Sequence, residues 1–193
     1  MQELSRRERK KKDTYEKLFA TAMQLFRTHG FDATSIEQIT QKADVGKGTF
    51  YNYFPSKEAV VLEFSRQAHR ELIDRRRTHQ AFSTRERLEE LLKDWADFMV
   101  ADRELAWVAV RNREMSAQDL NLHYGLQAII TLGQREGEIS GEYDSAFLAE
   151  TLEGMMLQHF ISWHVSQQGD LHQEMSHVLA VFMDGLGRRQ RQA

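Results

Sequence analysis

The chain has no cysteine and only one proline, Pro55, among its 193 residues. Without cysteine there is neither a disulfide framework nor a thiolate metal site, which suits a reducing cytoplasm. A lone proline points to a mostly helical protein, because strands and turns usually leave more proline behind. No apolar run approaches the length of a bilayer span, so no membrane contact is expected. The first residues are charged rather than apolar, which reads as the absence of a secretory signal. Hydrophobic residues at 41% and charged residues at 28% place the chain among globular proteins rather than disordered ones. A cytoplasmic, all-α protein is the expectation.

Charge is unevenly shared. Residues 1–57 carry 11 Lys/Arg against 7 Asp/Glu, whereas residues 58–193 carry 15 against 22. A basic head on an acidic body is expected if only the head meets a polyanion, although a solvated face gives the same count. The expected domains follow this division, 1–57 and 58–193.

Helical periodicity then fills most of the chain. Tyr15, Leu18, Ala22, Leu25 and Phe26 predict an amphipathic helix from about residue 8 to His29, ended by Gly30. Thr34 or Ser35 can cap a short second helix with Ile36, Ile39 and Ala43 on its apolar face. A third short helix is expected over Lys47–Tyr53, stopped by Pro55. Ser56 begins a long fourth helix, and Arg75, Arg76 and Arg77 near its end complement the helix dipole. Ser83 and Glu86 form a capping box for a helix carrying Leu88, Leu91, Leu92, Trp95 and Met99. Two helices are expected within 102–115 and 117–136, then one from Asp144 or Ser145 through Val165. A last helix carries the stripe Met175, Val178, Leu179, Phe182, Met183 and Leu186.

The second and third helices, about three residues apart, have helix-turn-helix proportions. Ile36, Ile39, Val45 and Phe50 supply apolar bracing, while Gly46, Lys47, Gly48, Thr49 and Asn52 leave the third helix small and polar at its start. Tyr51, Tyr53 and Lys57 are side chains of the type that hold phosphates. Lys47 can donate to guanine, and the Thr49 methyl can meet a thymine methyl.

Composition of this kind gives many false helix-turn-helix patterns, but the order of residues here is more specific. Gly30-Phe31-Asp32-Ala33-Thr34-Ser35-Ile36-Glu37-Gln38-Ile39, followed by the run from Ala43 through Gly48-Thr49-Phe50-Tyr51 and Tyr53-Phe54 to Lys57-Glu58, resembles the N-terminal signature of the TetR family of bacterial regulators. The resemblance covers about residues 10–62. It implies that Lys47, Gly48, Thr49, Tyr51 and Asn52 face the major groove of a double-stranded operator. It further implies that Tyr53 and Lys57 grip the backbone, with Thr34 and Ser35 adding contacts. Two positions depart from the pattern. Gly46 stands where a serine or threonine cap is usual, and Thr40 where alanine is commoner.

The resemblance also implies an N-terminal three-helix reader joined by a long helix to a helical domain for ligand binding and dimerisation. On this reading the chain is a repressor released from a palindromic operator by a small-molecule effector. An activator, or a carrier that no longer binds DNA, is the alternative. Candidate effector-binding residues are Trp95, Met99, Trp107, Tyr124, Gln127, Met156, His159 and Trp163. Such residues also build plain cores, but Trp, Tyr and His have polar tips that an inert core avoids. Phe147, Thr151, Gly154, Gln158 and Ile161 form a second stripe beside Leu148, Leu152 and Met155, and the last two helices are the expected homodimer contact. The eight histidines show no metal-binding spacing: His159 and His164, like His172 and His177, are five apart and share no helix face. No cofactor, metal or catalytic set is called for, and an enzyme is not expected.

Overall fold

A computed structural model describes residues 5–74, 82–112 and 121–185. The expected Arg75–Arg77 cluster and Leu186 lie outside the described residues. Nine α-helices and no strand occur among those described.

Helix α1 spans Arg6–His29, opened by a capping box between Ser5 and Glu8 and closed at Gly30, whose φ of 86° suits glycine. Helix α2 spans Ile36–Lys42, and Ser35 with Gln38 forms its capping box. The turn after it passes through Asp44 at φ 52°, a left-handed position that aspartate tolerates better than most residues. Helix α3 spans Lys47–Tyr51, shorter than the sequence predicts; the backbone N–H groups of Tyr53 and Phe54 still bond to Phe50 O. Helix α4 spans Lys57–Asp74, with Ser56 accepting from the Ala59 N–H.

Helix α5 spans Thr84–Ala101 behind the predicted Ser83–Glu86 capping box. Helices α6 (Arg103–Arg111) and α7 (Asn121–Arg135) follow. Asp144 caps α8, Ser145–Ser166, and Asp170 caps α9, Leu171–Asp184.

Packing divides the chain into two units. The first holds the residues up to Ser65 together with α6 from Glu104. Its core joins Leu18, Phe26, Ile39, Phe50 and Val60 to Leu105, Val108 and Ala109. Burying each of these larger aliphatic or aromatic side chains is worth about 1.5–3 kcal/mol. Helix α6 is therefore part of the core that supports α1–α3, although in sequence it follows α5.

The second unit holds Arg66–Arg103 and the described residues from 121 onward. Within it α5 packs on α9 and α7, and α8 packs on α7 and α9, so the four helices close a ring. Trp95, Leu126, Ile130, Leu152, Met156 and Phe160 are fully buried inside it. Gly133 permits one close approach, since a Cβ there would lie 2.5 Å from Thr84 Oγ1.

Candidate functional site

The first unit presents α3 on a braced support. Phe50 is fully buried and meets Phe54 at 5.8 Å, while Val45 packs against the same core. These contacts turn the opposite face of α3 outward, leaving Lys47, Gly48, Tyr51 and Asn52 exposed and Thr49 half-buried. Gly46 caps the helix without a side-chain bond, and neither Gly46 nor Gly48 has any atom within 4 Å of where a Cβ would sit. The result is an open helix face with small residues at its start. Backbone can approach a ligand there, as a major-groove reader requires.

Lys47 is paired with Glu37 of α2. The hydrogen bond from Lys47 is the main cause holding the Glu37 carboxyl below its ordinary value, and the same bond raises the Lys47 ammonium. Sequence reasoning missed Glu37, because nothing in a ten-residue separation signals that two exposed side chains meet across a turn. Thr40, the other departure from the family pattern, is buried and donates to Glu37 O at 3.0 Å.

Four expected DNA contacts, Lys57, Thr34, Tyr53 and Ser35, have polar atoms engaged within the domain. Lys57 Nζ donates to Phe31 O at 2.8 Å, Thr34 O at 3.1 Å and Asp32 O at 3.4 Å. It also lies 4.3 Å from the centre of the Phe31 ring. All three ammonium hydrogens thus have partners in the Phe31–Thr34 loop, a placement that residue type alone did not foretell. Thr34 is buried, and its hydroxyl donates to Gly30 O at 2.8 Å rather than facing outward. Tyr53 is half-buried and donates to Lys11 O at 3.1 Å, tying α3's exit to the basic start of α1. Ser35 is occupied in its capping box, where its Oγ accepts from the Gln38 N–H at 3.2 Å. The same loop is reached from α6, where Arg111 pairs with Asp32 at 3.6 Å and lies over Phe31.

The candidate effector residues do not form one cluster. Trp107 belongs to the first unit and the other seven to the second. Trp95, Met99 and Met156 are buried in the helical ring, Gln127 is half-buried, and Tyr124 is 57% exposed. His159 bonds Glu174 at 2.7 Å between α8 and α9. Trp163 is half-buried under the Arg103 guanidinium, which also donates to the Trp163 and His164 carbonyls at the end of α8.

Comparison with known proteins agrees with this geometry. Residues 18–64 match the family described as bacterial regulatory proteins, tetR family. The uncharacterized HTH-type transcriptional regulator YuxN of Bacillus subtilis is 41% identical over 51 residues, 26% of this chain and 18% of that protein, so this chain spans under a fifth of its length. The fatty acid metabolism regulator protein of Bacillus subtilis is 21% identical over 92% of this chain and 98% of its own. Among solved structures, the FadR repressor of Thermus thermophilus in complex with lauroyl-CoA superimposes with a TM-score of 0.85 at 25% identity, covering 93% of this chain and 98% of that one. With its open α3 face on a braced helix-turn-helix, the chain carries over residues 18–64 the N-terminal domain of the tetR family of bacterial regulatory proteins.

Proposed function

We propose that this protein is a homodimeric repressor that reads a palindromic operator and is released by a long-chain acyl-CoA thioester. The observation that carries the effector class is the likeness along nearly the whole chain to a repressor solved with lauroyl-CoA, rather than along the reader alone. The apolar ring of α5, α7, α8 and α9 is consistent with an acyl guest.

The base-reading set is Lys47, Gly48, Thr49, Tyr51 and Asn52. Thr34, Tyr53 and Lys57 serve this surface by positioning it, since their polar atoms already have partners. Ser35 offers its surroundings at the start of α2 to a phosphate.

A reader of this size covers few base pairs, so two copies on a symmetric protein are needed for a selective site. Helix α8 supports this, since its apolar residues are spread around the helix rather than confined to one face. Its stripe of Phe147, Thr151, Gly154 and Gln158 is exposed in the single chain, with Phe147 at 55%. A second copy that covers this stripe with its own α8 and α9 completes the burial. Size measured by light scattering tests this arm: a dimer is expected, and Phe147→Glu is expected to yield monomer. A wild-type monomer at micromolar concentration contradicts it.

Release by effector follows from linkage if the acyl-CoA binds better to a spacing of the two readers that does not match the operator. Saturating lauroyl-CoA is expected to weaken operator binding, and unchanged affinity contradicts the proposal.

A further inference from the structure

Trp95 is fully buried in the second unit and meets Phe160 edge-on, with ring centres 6.0 Å apart. Its indole N–H has no acceptor within hydrogen-bonding reach. Buried indoles nearly always find a partner, because an unmet donor has given up its water for nothing. Trp163 follows the rule and donates to Gly169 O at 3.3 Å. A phenyl ring would fill an inert core without that penalty, so the orphan donor points to a guest that brings its own acceptor.

The surroundings narrow the chemistry of that guest. Met99 lies one turn along α5 from Trp95, and Met156 one turn before Phe160 on α8; both are buried. Unbranched methionine side chains can re-pack around an entering chain. Among the described residues of this unit, the only other buried polar side chain is Thr84, three turns away at the start of α5. No Lys or Arg among them is buried as a whole residue, although the Nε of Arg66 is enclosed. Beside Trp95, Met99, Met156 and Phe160 a free carboxylate would meet no charged neighbour on these helix turns, and burying it costs far more than burying a neutral carbonyl. Thr84 Oγ1 and Arg66 Nε are also buried without a hydrogen-bond partner, but Trp95 is the one set among the aromatic and methionine side chains of the ring, where a hydrocarbon chain with a neutral carbonyl fits.

We infer that the Trp95 indole N–H donates to the thioester carbonyl oxygen of the acyl-CoA effector. This rests on the effector class proposed above and adds the atom that recognises it. It makes Trp95 the group that separates a thioester from a free fatty acid or from a bare alkyl chain.

The test uses the full-length protein and two ligands, lauroyl-CoA and S-dodecyl-CoA, a thioether of the same length without the carbonyl. By calorimetric titration, wild type is expected to bind the thioester about tenfold more tightly than the thioether, and Trp95→Phe to bind both alike. A second measurement needs no altered Trp95. In a ¹⁵N-labelled sample with Trp107→Phe and Trp163→Phe, the remaining indole N–H signal is expected to shift downfield with the thioester but not the thioether. If Trp95→Phe keeps the tenfold preference, or the indole signal responds equally to both ligands, Trp95 is only apolar lining and the inference is overturned. Equal binding of both ligands by wild type also overturns it, while leaving the effector class intact. Failure of wild type to bind either ligand overturns the effector class and this inference together.

Discussion

Lys57 at the start of α4 donates its ammonium to Phe31 O at 2.8 Å while lying 4.3 Å from the centre of the Phe31 ring. One side chain thus holds both the backbone and the ring of the residue that leads into α2. With Thr34 O and Asp32 O also accepting, Lys57 fixes the loop on which the Ser35 cap depends. Charge-assisted bonds of this kind are worth about 1.5–3 kcal/mol when partly buried. Lys57→Ala is expected to destabilise the reader by about 2 kcal/mol in urea titration, and Lys57→Arg to recover only part. A Lys57→Ala protein of wild-type stability with reduced DNA affinity at every sequence would instead make Lys57 a plain phosphate contact.

On the proposed reading, the Lys47–Glu37 pair sets the selectivity of the α3 face. Base edges must compete with Glu37 for the Lys47 ammonium, and Glu37 itself repels phosphates that bring no compensating contact. Glu37→Gln is expected to strengthen binding to random DNA more than to the operator, narrowing the gap between them. Lys47→Ala is expected to relax preference at one base position, a loss of about 1–3 kcal/mol in discrimination. Filter-binding against the operator and single-base variants measures both. Equal effects on all sequences contradict this division of roles.

Gly48 separates stability from recognition. A Cβ there meets nothing within 4 Å, and alanine is favoured over glycine inside a helix by roughly 0.5–1 kcal/mol. Gly48→Ala is expected to leave the fold intact or slightly more stable while weakening operator binding, because the new methyl projects where the groove must approach. Retained affinity would remove Gly48 from the interface.

How much of this was legible in the sequence differs by element. Helix starts were, because capping chemistry is local: Ser35 with Gln38 and Ser83 with Glu86 take the reciprocal bonds that their spacing allows. The end of α3 was less so, since Tyr53 and Phe54 continue helix-like bonds to Phe50 after the regular helix has stopped at Tyr51. The place of α6 was not legible at all. Leu105, Val108 and Ala109 form an ordinary apolar face, and only three-dimensional packing joins them to Phe26 and Phe31. The same holds for Lys57, whose residue type suits a phosphate or a carbonyl equally, and for Trp95, whose missing partner exists only once the core is closed.

His172 gives the second unit a dependence on pH. Its imidazole bonds Asp97 of α5 at 2.7 Å and Asp170, the cap of its own helix, at 3.2 Å. The hydrogen bond to Asp97 is the main cause raising His172 above its ordinary value, with Asp170 adding to it against partial burial. A raised folded value means that the protonated form stabilises the fold. The contribution is full below about pH 6.5, the unfolded value, and is lost as pH rises through the higher folded value. Urea midpoints are expected to fall across that window in wild type and to be flatter in His172→Gln. Equal slopes in the two proteins contradict the assignment.

The proposed function depends on a link between the proposed acyl-CoA effector and the helix-turn-helix. The most direct measurement is fluorescence anisotropy of a labelled operator duplex, selected on this protein from random DNA, at fixed salt and increasing lauroyl-CoA. The expected result is release of the duplex at saturating lauroyl-CoA, with laurate and free coenzyme A far less effective. Persistent binding in the presence of bound lauroyl-CoA would contradict it.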